Sequence, residues 1–345
     1  MEVGRQGEPS YAGGGTFSKL PLVLDPADLA GVDVAIVGAP IDEAVSHRPG
    51  ARFGPRAIRL ADPNAHRPTA APHMDLGLDP FSVLSVVDHG DAPVIPADPA
   101  RSHAAIRATV EAVARAGAIP IVLGGDHSIA HPDVGAVAAA RAPERVGVIH
   151  FDAHADDAAE LFGVTRSHGT PLRLLVDEGS VRGSDVVQVG LRGYWPGPEE
   201  FAWARAQGFR WYRMEDVVDR GIDAVVGDVL ADVADLPHVF LSVDIDVCDP
   251  AYAPGTGVPE PGGLEARELL RAVRRIASTV PLAGMEVVEV SPPFDHAEVT
   301  ALLGHRVVLE ALAGIALRRS GRAAAPERDA RASGPARRVG PAGPP

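Results

Sequence analysis

The sequence predicts an α/β protein in which a mostly parallel sheet is covered by helices on both faces. Three observations carry this. Apolar, β-branched runs alternate with helical patterns along most of the 345 residues. With 46% hydrophobic residues, the chain can bury a substantial core as one large domain. Four strand candidates run directly into the polar clusters "GGDHS", "DAHAD", "SVDIDVCDP" and "VVEVSPP". In open α/β sheets, ligands sit beyond the carboxyl ends of the strands, which is where these clusters fall.

The elements follow in order. "VDVAIVGAP" (32–40) and "FSVLSVVDHGD" (81–91) read as strands. "SHAAIRATVEAVARAG" places Ile106, Val110 and Val113 at helical spacing, with Ser102 as its expected cap. The strand "AIPIVLGGDHS", a helix near 131–141 and the strand "RVGVIHFDAHAD" come next. "DVVQVGLRG" (185–193), "HVFLSVDIDVCDP" (238–250) and "LAGMEVVEVSPP" (282–293) are further strands. The helix "LEARELLRAVRRIA" precedes the last of these, and "VTALLGHRVVLEALAGIAL" follows it. Residues 1–20 read as a loose N-terminal arm whose "YAGGGTF" is a candidate for packing on a neighbouring subunit. Residues 21–317 form the expected main domain. Residues 318–345, rich in Arg, Ala, Gly and Pro, have too little apolar bulk to order themselves.

The net charge is −14, although the tail from Arg318 carries seven arginines against Glu327 and Asp329. An acidic body argues against a nucleic-acid groove. It favours a cationic small molecule by long-range attraction, or simply keeps the protein soluble. Cys248 is the single cysteine, which excludes an internal disulfide and agrees with a reducing compartment. No apolar run approaches the roughly 20 residues of a membrane span. The first residues lack the apolar core of a secretory signal. The expectation is a cytoplasmic protein with no membrane and no nucleic-acid partner.

The chemistry concentrates in "HFDAHAD", His150 to Asp156. Polar groups at the end of a buried strand are costly unless something holds them there. Alternation along an extended backbone would put Asp152, His154 and Asp156 on one side, and likewise Asp244 and Asp246. Crowded aspartates repel unless cations sit among them. Asp152, Asp156, Asp244 and Asp246 carry four negative charges, which two divalent ions balance. Carboxylates with imidazoles suit Mn²⁺, with Ni²⁺ or Co²⁺ also compatible. A structural Zn²⁺ site would want cysteines. Each short motif alone reads equally as solvated carboxylates or a glycine turn. The expectation of a two-metal site rests on the conjunction.

The chain resembles the ureohydrolase family of arginases and agmatinases. "GGDHS", "HFDAHAD" and "SVDIDVCDPAYAPGTGVPEPGGL" match its three signature blocks in order, and the likeness runs from about Tyr11 to Leu317. "GAPIDEAVSHRPGARFGPRAIR" and "VVEVSPPFDHAEVTALL" are similar to the agmatinase-like branch. The resemblance implies a three-layer α/β/α sandwich with a parallel, mainly eight-stranded sheet. It implies a homotrimer or homohexamer. It also implies one metal on His127, Asp152, Asp156 and Asp244, and another on Asp152, His154, Asp244 and Asp246.

Two metals that share a water would hold a hydroxide ready at neutral pH. Asp156 would also aim that hydroxide. Glu289, at the end of "GMEVVEV", is placed to pair with a planar guanidinium through two N–H groups. His168 in "RSHGTPLR" is a loop histidine suited to proton transfer. Urea and a free amine would result. The loop "DAAELFGVTRSHG" lacks the Ser-Gly-Asn pattern of arginases, so arginine is not the expected substrate. Asp157 and Glu160 would suit agmatine's second cation, whereas Arg166 would suit a guanidino acid or a larger guanidino metabolite. Agmatine is the expectation. Asp157 and Val258 stand where the family usually has threonine. His47, His66, His73, His103, His296 and His305 are expected to be structural or solvated. A one-zinc deacetylase, a non-catalytic binding protein and a nucleotide-binding module are the alternatives. The full ligand set and the lack of a G-x-G-x-x-G or P-loop weigh against them.

Overall fold

Eight strands form a single sheet: β1 Val34–Ala39, β2 Val86–Asp91, β3 Ile119–Gly124, β4 Val146–Phe151, β5 Val186–Val189, β6 Arg210–Tyr212, β7 His238–Asp244 and β8 Leu282–Val288. Their order is β2-β1-β3-β8-β7-β4-β5-β6. Every pairing is parallel. This computed structural model describes residues 9–62 and 72–321. The expected tail from 322 onward, the first eight residues of the arm, and His66 lie outside the described residues.

The helices are α1 Gly54–Leu60, α2 Pro99–Arg115, α3 Ala130–Arg141, α4 Pro171–Asp177, α5 Pro198–Gln207, α6 Met214–Arg220, α7 Ile222–Asp232, α8 Ala266–Thr279 and α9 Val299–Arg319. They cover both faces of the sheet. Alternation within the strands shows the division. Ile121, Leu123, Ile149, Phe151, Leu241 and Val243 pack with residues of α7, α8 and α9. Val122, Val148 and Phe240 pack instead with residues of α2, α3 and α4. Burial on both faces is why the central strands read as continuous apolar runs rather than alternating ones. α9 is long and apolar enough to cross a membrane, but most of it is buried, and it packs against α8.

The four strands that end in polar clusters, β3, β8, β7 and β4, are consecutive neighbours in the sheet. Parallel pairing aligns their carboxyl ends, so residues from 124 to 289 are delivered to one spot.

Three local features differ from the sequence reading. Ser102 does not cap α2. Asp98 does, accepting from Arg101 N–H at 3.0 Å, because Pro99 already supplies the first helical turn. The Ser102 hydroxyl instead bonds the carbonyl of Ile95 at 3.0 Å. The edge strand β6 was not legible, being only three half-buried residues. Finally, Phe17 is fully buried in the chain's own core. It stacks on His305 of α9 with ring centroids 4.1 Å apart, and its N–H donates to Asp88 at 2.8 Å.

Candidate metal centre and active site

The strand period is not what aims the acids. β4 stops at Phe151, and the chain turns at once. His154 N–H donates to Asp152 Oδ1 at 2.6 Å, and Ala153 N–H donates to Asp246 Oδ1 at 3.2 Å. Asp156 is left-handed, at φ 51°. Asp246 lies in a one-turn helix after β7, where its N–H donates to Asp244 Oδ1 at 2.8 Å. Tight turns, not an extended backbone, bring these carboxylates together. The positive φ of Asp156 and of Glu289 (62°) is strain of the kind stored at functional sites.

The result is two adjoining sets of donors. His127 Nδ1 lies 3.0 Å from Asp152 Oδ2, 2.9 Å from Asp156 Oδ2 and 3.3 Å from Asp244 Oδ2. His154 Nδ1 lies 3.4 Å from Asp152 Oδ1 and 3.1 Å from Asp246 Oδ2. Asp152 belongs to both sets, one oxygen to each. All six residues expected as ligands therefore meet. His127 Nδ1 and Asp152 Oδ2 are buried without a hydrogen bond. Orphaned donor atoms of this chemistry fit a hard-to-intermediate divalent cation.

The charges agree. Burial opposes a charged ring on His127, yet Asp152, Asp156 and Asp244 raise its pKa well above the usual value. Burial likewise opposes charge on His154, but Asp246 and Asp152 raise it to about 12. Asp244 is raised by burial and by the charges of Asp246 and Asp152. Among the described residues, the imidazoles of His127, His154 and His150 are the side chains that directly face the four carboxylates.

Glu289 occupies the adjoining space. Its Oε1 accepts from His127 N–H at 2.9 Å and lies 3.0 Å from His168 Nδ1. Its Oε2 is buried with no partner. A side chain at Gly257 would place a Cβ 3.0 Å from that oxygen, so glycine keeps the approach open. Ser46 N–H points at His168 Nε2 at 3.1 Å, so the neutral ring carries its proton on Nδ1, facing Glu289. Burial disfavours a second proton on this ring, but Glu289 raises its pKa to about 9. That proton would sit on Nε2 and meet the Ser46 hydroxyl at 2.8 Å.

Several contributors were not assigned from sequence. His150 is fully buried, and its Nε2 lies 3.1 Å from Asp152 Oδ2. The carbonyl of Ala155 accepts from Gln188 Nε2 at 2.8 Å, which fixes that amide. Its nitrogen also faces His150 Nδ1 at 3.2 Å. His150 Nε2 faces Asp152 Oδ2 without making an aligned hydrogen bond, and with His127, Asp152 and Asp156 it joins one group of donors able to hold a cation. Asp126 accepts from Ala44 N–H at 3.0 Å and ties down the loop that carries Ser46. Burial and the charge of Glu289 push Asp126 up to about 6. Ser242 Oγ lies 2.8 Å from His127 Nε2 and turns Nδ1 toward the acids. His150 and Asp126 lie inside the quoted motifs. Ser46 and Ser242 also lie inside quoted stretches, but a serine there gives no sign of its partner, and Gln188 sits in a plain strand run.

The loop residues fall in different places. Asp157 is buried, with neither carboxylate oxygen hydrogen-bonded. Burial and the charge of Asp156 raise it to about 7. Glu160 and Arg166 are exposed. Leu161 and Val164 pair around a turn that leaves Phe162 exposed. His103 and His305 have their hydrogen-bond partners outside this cluster. His103 bonds Ser128 Oγ at 2.9 Å and is lowered to about 4, chiefly by burial. His305 bonds the carbonyl of Ile58 at 2.9 Å.

Residues 32–314 match the arginase family. The mitochondrial agmatinase of Gallus gallus is 41% identical over 82% of this chain and 81% of its own length. The solved proclavaminate amidinohydrolase of Streptomyces clavuligerus superposes with a TM-score of 0.82 at 35% identity, covering 90% of this chain and all of that one. A Trypanosoma cruzi formiminoglutamase solved with Mn²⁺ superposes with a TM-score of 0.77 at 26% identity, covering 87% of this chain and 98% of its own.

Proposed function

Because the chain belongs to the arginase family, whose members hydrolyse C–N bonds of linear amidines, we propose that it converts agmatine and water to putrescine and urea. The observation that carries amidine hydrolysis is the unpartnered Glu289 Oε2 beside Gly257, adjoining the two donor sets. A planar guanidinium completes that carboxylate.

His127, Asp152, Asp156 and Asp244 would hold one divalent ion, and Asp152, His154, Asp244 and Asp246 the other. Mn²⁺ fits this donor set, and Ni²⁺ or Co²⁺ is compatible. When bound, the pair would supply Lewis acidity and lower the pKa of water. The chain's own residues do the rest. Glu289 orients the guanidinium and removes much of the orientation cost. Asp156 accepts a hydrogen bond from the attacking water. Water adds at the guanidinium carbon, and the bond to the alkyl nitrogen breaks. His168, with its Nδ1 proton facing this space, protonates the departing amine.

The choice of agmatine rests on Asp157. A buried carboxylate without hydrogen bonds is costly, and a terminal ammonium would relieve it. Glu160 adds negative charge at the loop. The second reading is a guanidino acid, favoured by Arg166 on the same loop. We further propose a catalytic domain spanning residues 21–317, assembly as a homotrimer or homohexamer, and a cytoplasmic location.

Urea release from Mn²⁺-loaded protein tests this. The panel is agmatine, arginine, 4-guanidinobutyrate, 3-guanidinopropionate and free guanidine, compared by kcat/KM. Agmatine should lead, and Asp157→Asn should lower its kcat/KM while sparing the acids. A lead by an acid that Arg166→Ala abolishes would make the second reading correct. Urea from none of them, with two metals bound, would defeat the assigned substrate range.

A further inference from the structure

A second polar site lies at the opposite end of the strands, where β4 and β5 begin. It is a cavity of about 350 Å³ walled by α2, α3 and the turn before β5. The five steps from Val146 to Phe151 along β4, at roughly 3.3 Å each, separate it from the metal centre by about 17 Å.

Three arginines line it: Arg107 from α2, Arg145 before β4, and Arg182 before β5. Arg145 Nη1 reaches both oxygens of Asp185 at 2.9 Å, so that acid is already matched. The other lining acid, Glu144, is mostly exposed and lies 2.8 Å from His238 Nε2. Arg107, Arg182 and the Ser180 hydroxyl have no hydrogen-bond or ion-pair partner among the described residues. The placement of Arg107 is built into the fold. Its guanidinium lies against α3 at Gly135, where a Cβ would come within 2.4 Å of Nη1. The cavity thus concentrates unspent positive charge in a chain of net charge −14.

Guanidinium forks match oxyanions bidentately. Two free forks and a free hydroxyl call for a doubly charged anion, and the volume exceeds that of a bare oxyanion. We propose that this cavity binds a small organic dianion, a phosphate monoester or a dicarboxylate, through Arg107 and Arg182. Ser180 is a further donor, and the Arg145–Asp185 pair is a fixed wall. The site is independent of the amidine chemistry.

Calorimetric titration of the metal-loaded protein at constant chloride tests it, with glycerol 3-phosphate, succinate and inorganic phosphate as probes. One of the two organic anions should bind saturably, one per chain, and which one does identifies the head group. Arg107→Ala with Arg182→Ala should weaken that binding about tenfold or more, as expected for lost charge-assisted hydrogen bonds. Arg205→Ala removes the same charge from an exposed position on α5 and should leave binding within about twofold, as for a screened surface charge. Arg182→Ala alone, at an exposed side chain, gives the same reading if the double variant does not fold. Urea release without added anion should match the parent in all of them. No saturable binding by any probe would overturn the site. So would equal weakening by Arg205→Ala, which would show only diffuse attraction.

Discussion

Two acidic clusters stand in the same sheet, one along β2 and one beyond the carboxyl ends of β4 and β7, and they are resolved in opposite ways. At β2, Asp88 is almost fully buried, and so is Arg59 from α1. Arg59 Nε and Nη2 donate to the two oxygens of Asp88 at 2.9 and 3.1 Å. Phe17 and Gly90 N–H groups complete those oxygens at 2.8 and 2.9 Å. Arg59 also pairs with Asp91. At β4 and β7, the carboxylates of Asp152, Asp156, Asp244 and Asp246 receive no arginine or lysine hydrogen bond among the described residues, and Arg192 reaches only the backbone carbonyl of Asp246, at 2.7 Å. His127 Nδ1 and Asp152 Oδ2 stay orphaned. An acid cluster that carries its own guanidinium is a device for stability. One that carries only imidazoles is completed by cations from solution.

The largest effect should come from the cluster without a cation. Asp152→Ala removes the carboxylate whose two oxygens face His127 and His154, one each. Urea release should fall about 10³-fold or more, equivalent to at least ~4 kcal/mol of barrier, and bound metal measured by atomic emission should drop with it. A variant that kept both metals and full turnover would remove the basis of the contrast. The β2 cluster should behave in the reverse manner. Arg59→Met leaves a buried carboxylate uncompensated, which costs about 3–5 kcal/mol. Denaturant unfolding should show that loss, while kcat/KM per folded molecule and metal content stay near the parent values. A large loss of metal in Arg59→Met would show that the two clusters are not separate devices.

Glu289 sharpens the contrast from the substrate side. Its unpartnered oxygen is completed by neither an arginine nor a metal ligand, but by the proposed guanidinium. Glu289→Gln keeps shape and the His127 N–H bond but removes the charge. kcat/KM should fall about 10²-fold, as for a lost charge-assisted contact in a desolvated site. Metal content should not change. If metal were lost instead, Glu289 would belong with the aspartates.

This division also explains what the sequence disclosed. The six metal-facing residues were legible because "GGDHS", "HFDAHAD" and "SVDIDVCDP" pack several acids and imidazoles at strand ends, where burial makes them costly. The parallel sheet was legible from continuous apolar runs, since strands buried on both faces lose the alternating pattern. The geometry that joins them was not. Asp156 reaches His127 through a left-handed turn, not by strand alternation. Ser46, Ser242 and Gln188 act through hydrogen bonds to histidines far away in sequence. Ser102 was misread as a cap because a serine near a helix start looks alike in sequence whether its hydroxyl bonds forward or back to Ile95. The short edge strand β6 had too few residues for its pattern to register.

The smallest expected effect concerns His168, the one group that stands between the two kinds of cluster. Its ring meets Glu289 as Arg59 meets Asp88, but its charge can be withdrawn. In the metal-free protein Glu289 holds the His168 pKa at about 9, against about 6.5 for an unfolded histidine. A raised folded-state pKa means that the pair's stability is fully present below about pH 6.5 and is lost as pH rises through about 9. The melting temperature of metal-free parent protein should therefore exceed that of His168→Gln by about 1–3 °C at pH 6. The gap should narrow across that window and close above it. Metal loading offsets the negative charge of Asp156, which also raises His168, so the window should move to lower pH in the loaded protein. A gap independent of pH would mean that His168 is neutral throughout, held by the Ser46 N–H. The pair would then be a fixed hydrogen bond rather than an internal cation that the substrate's guanidinium replaces.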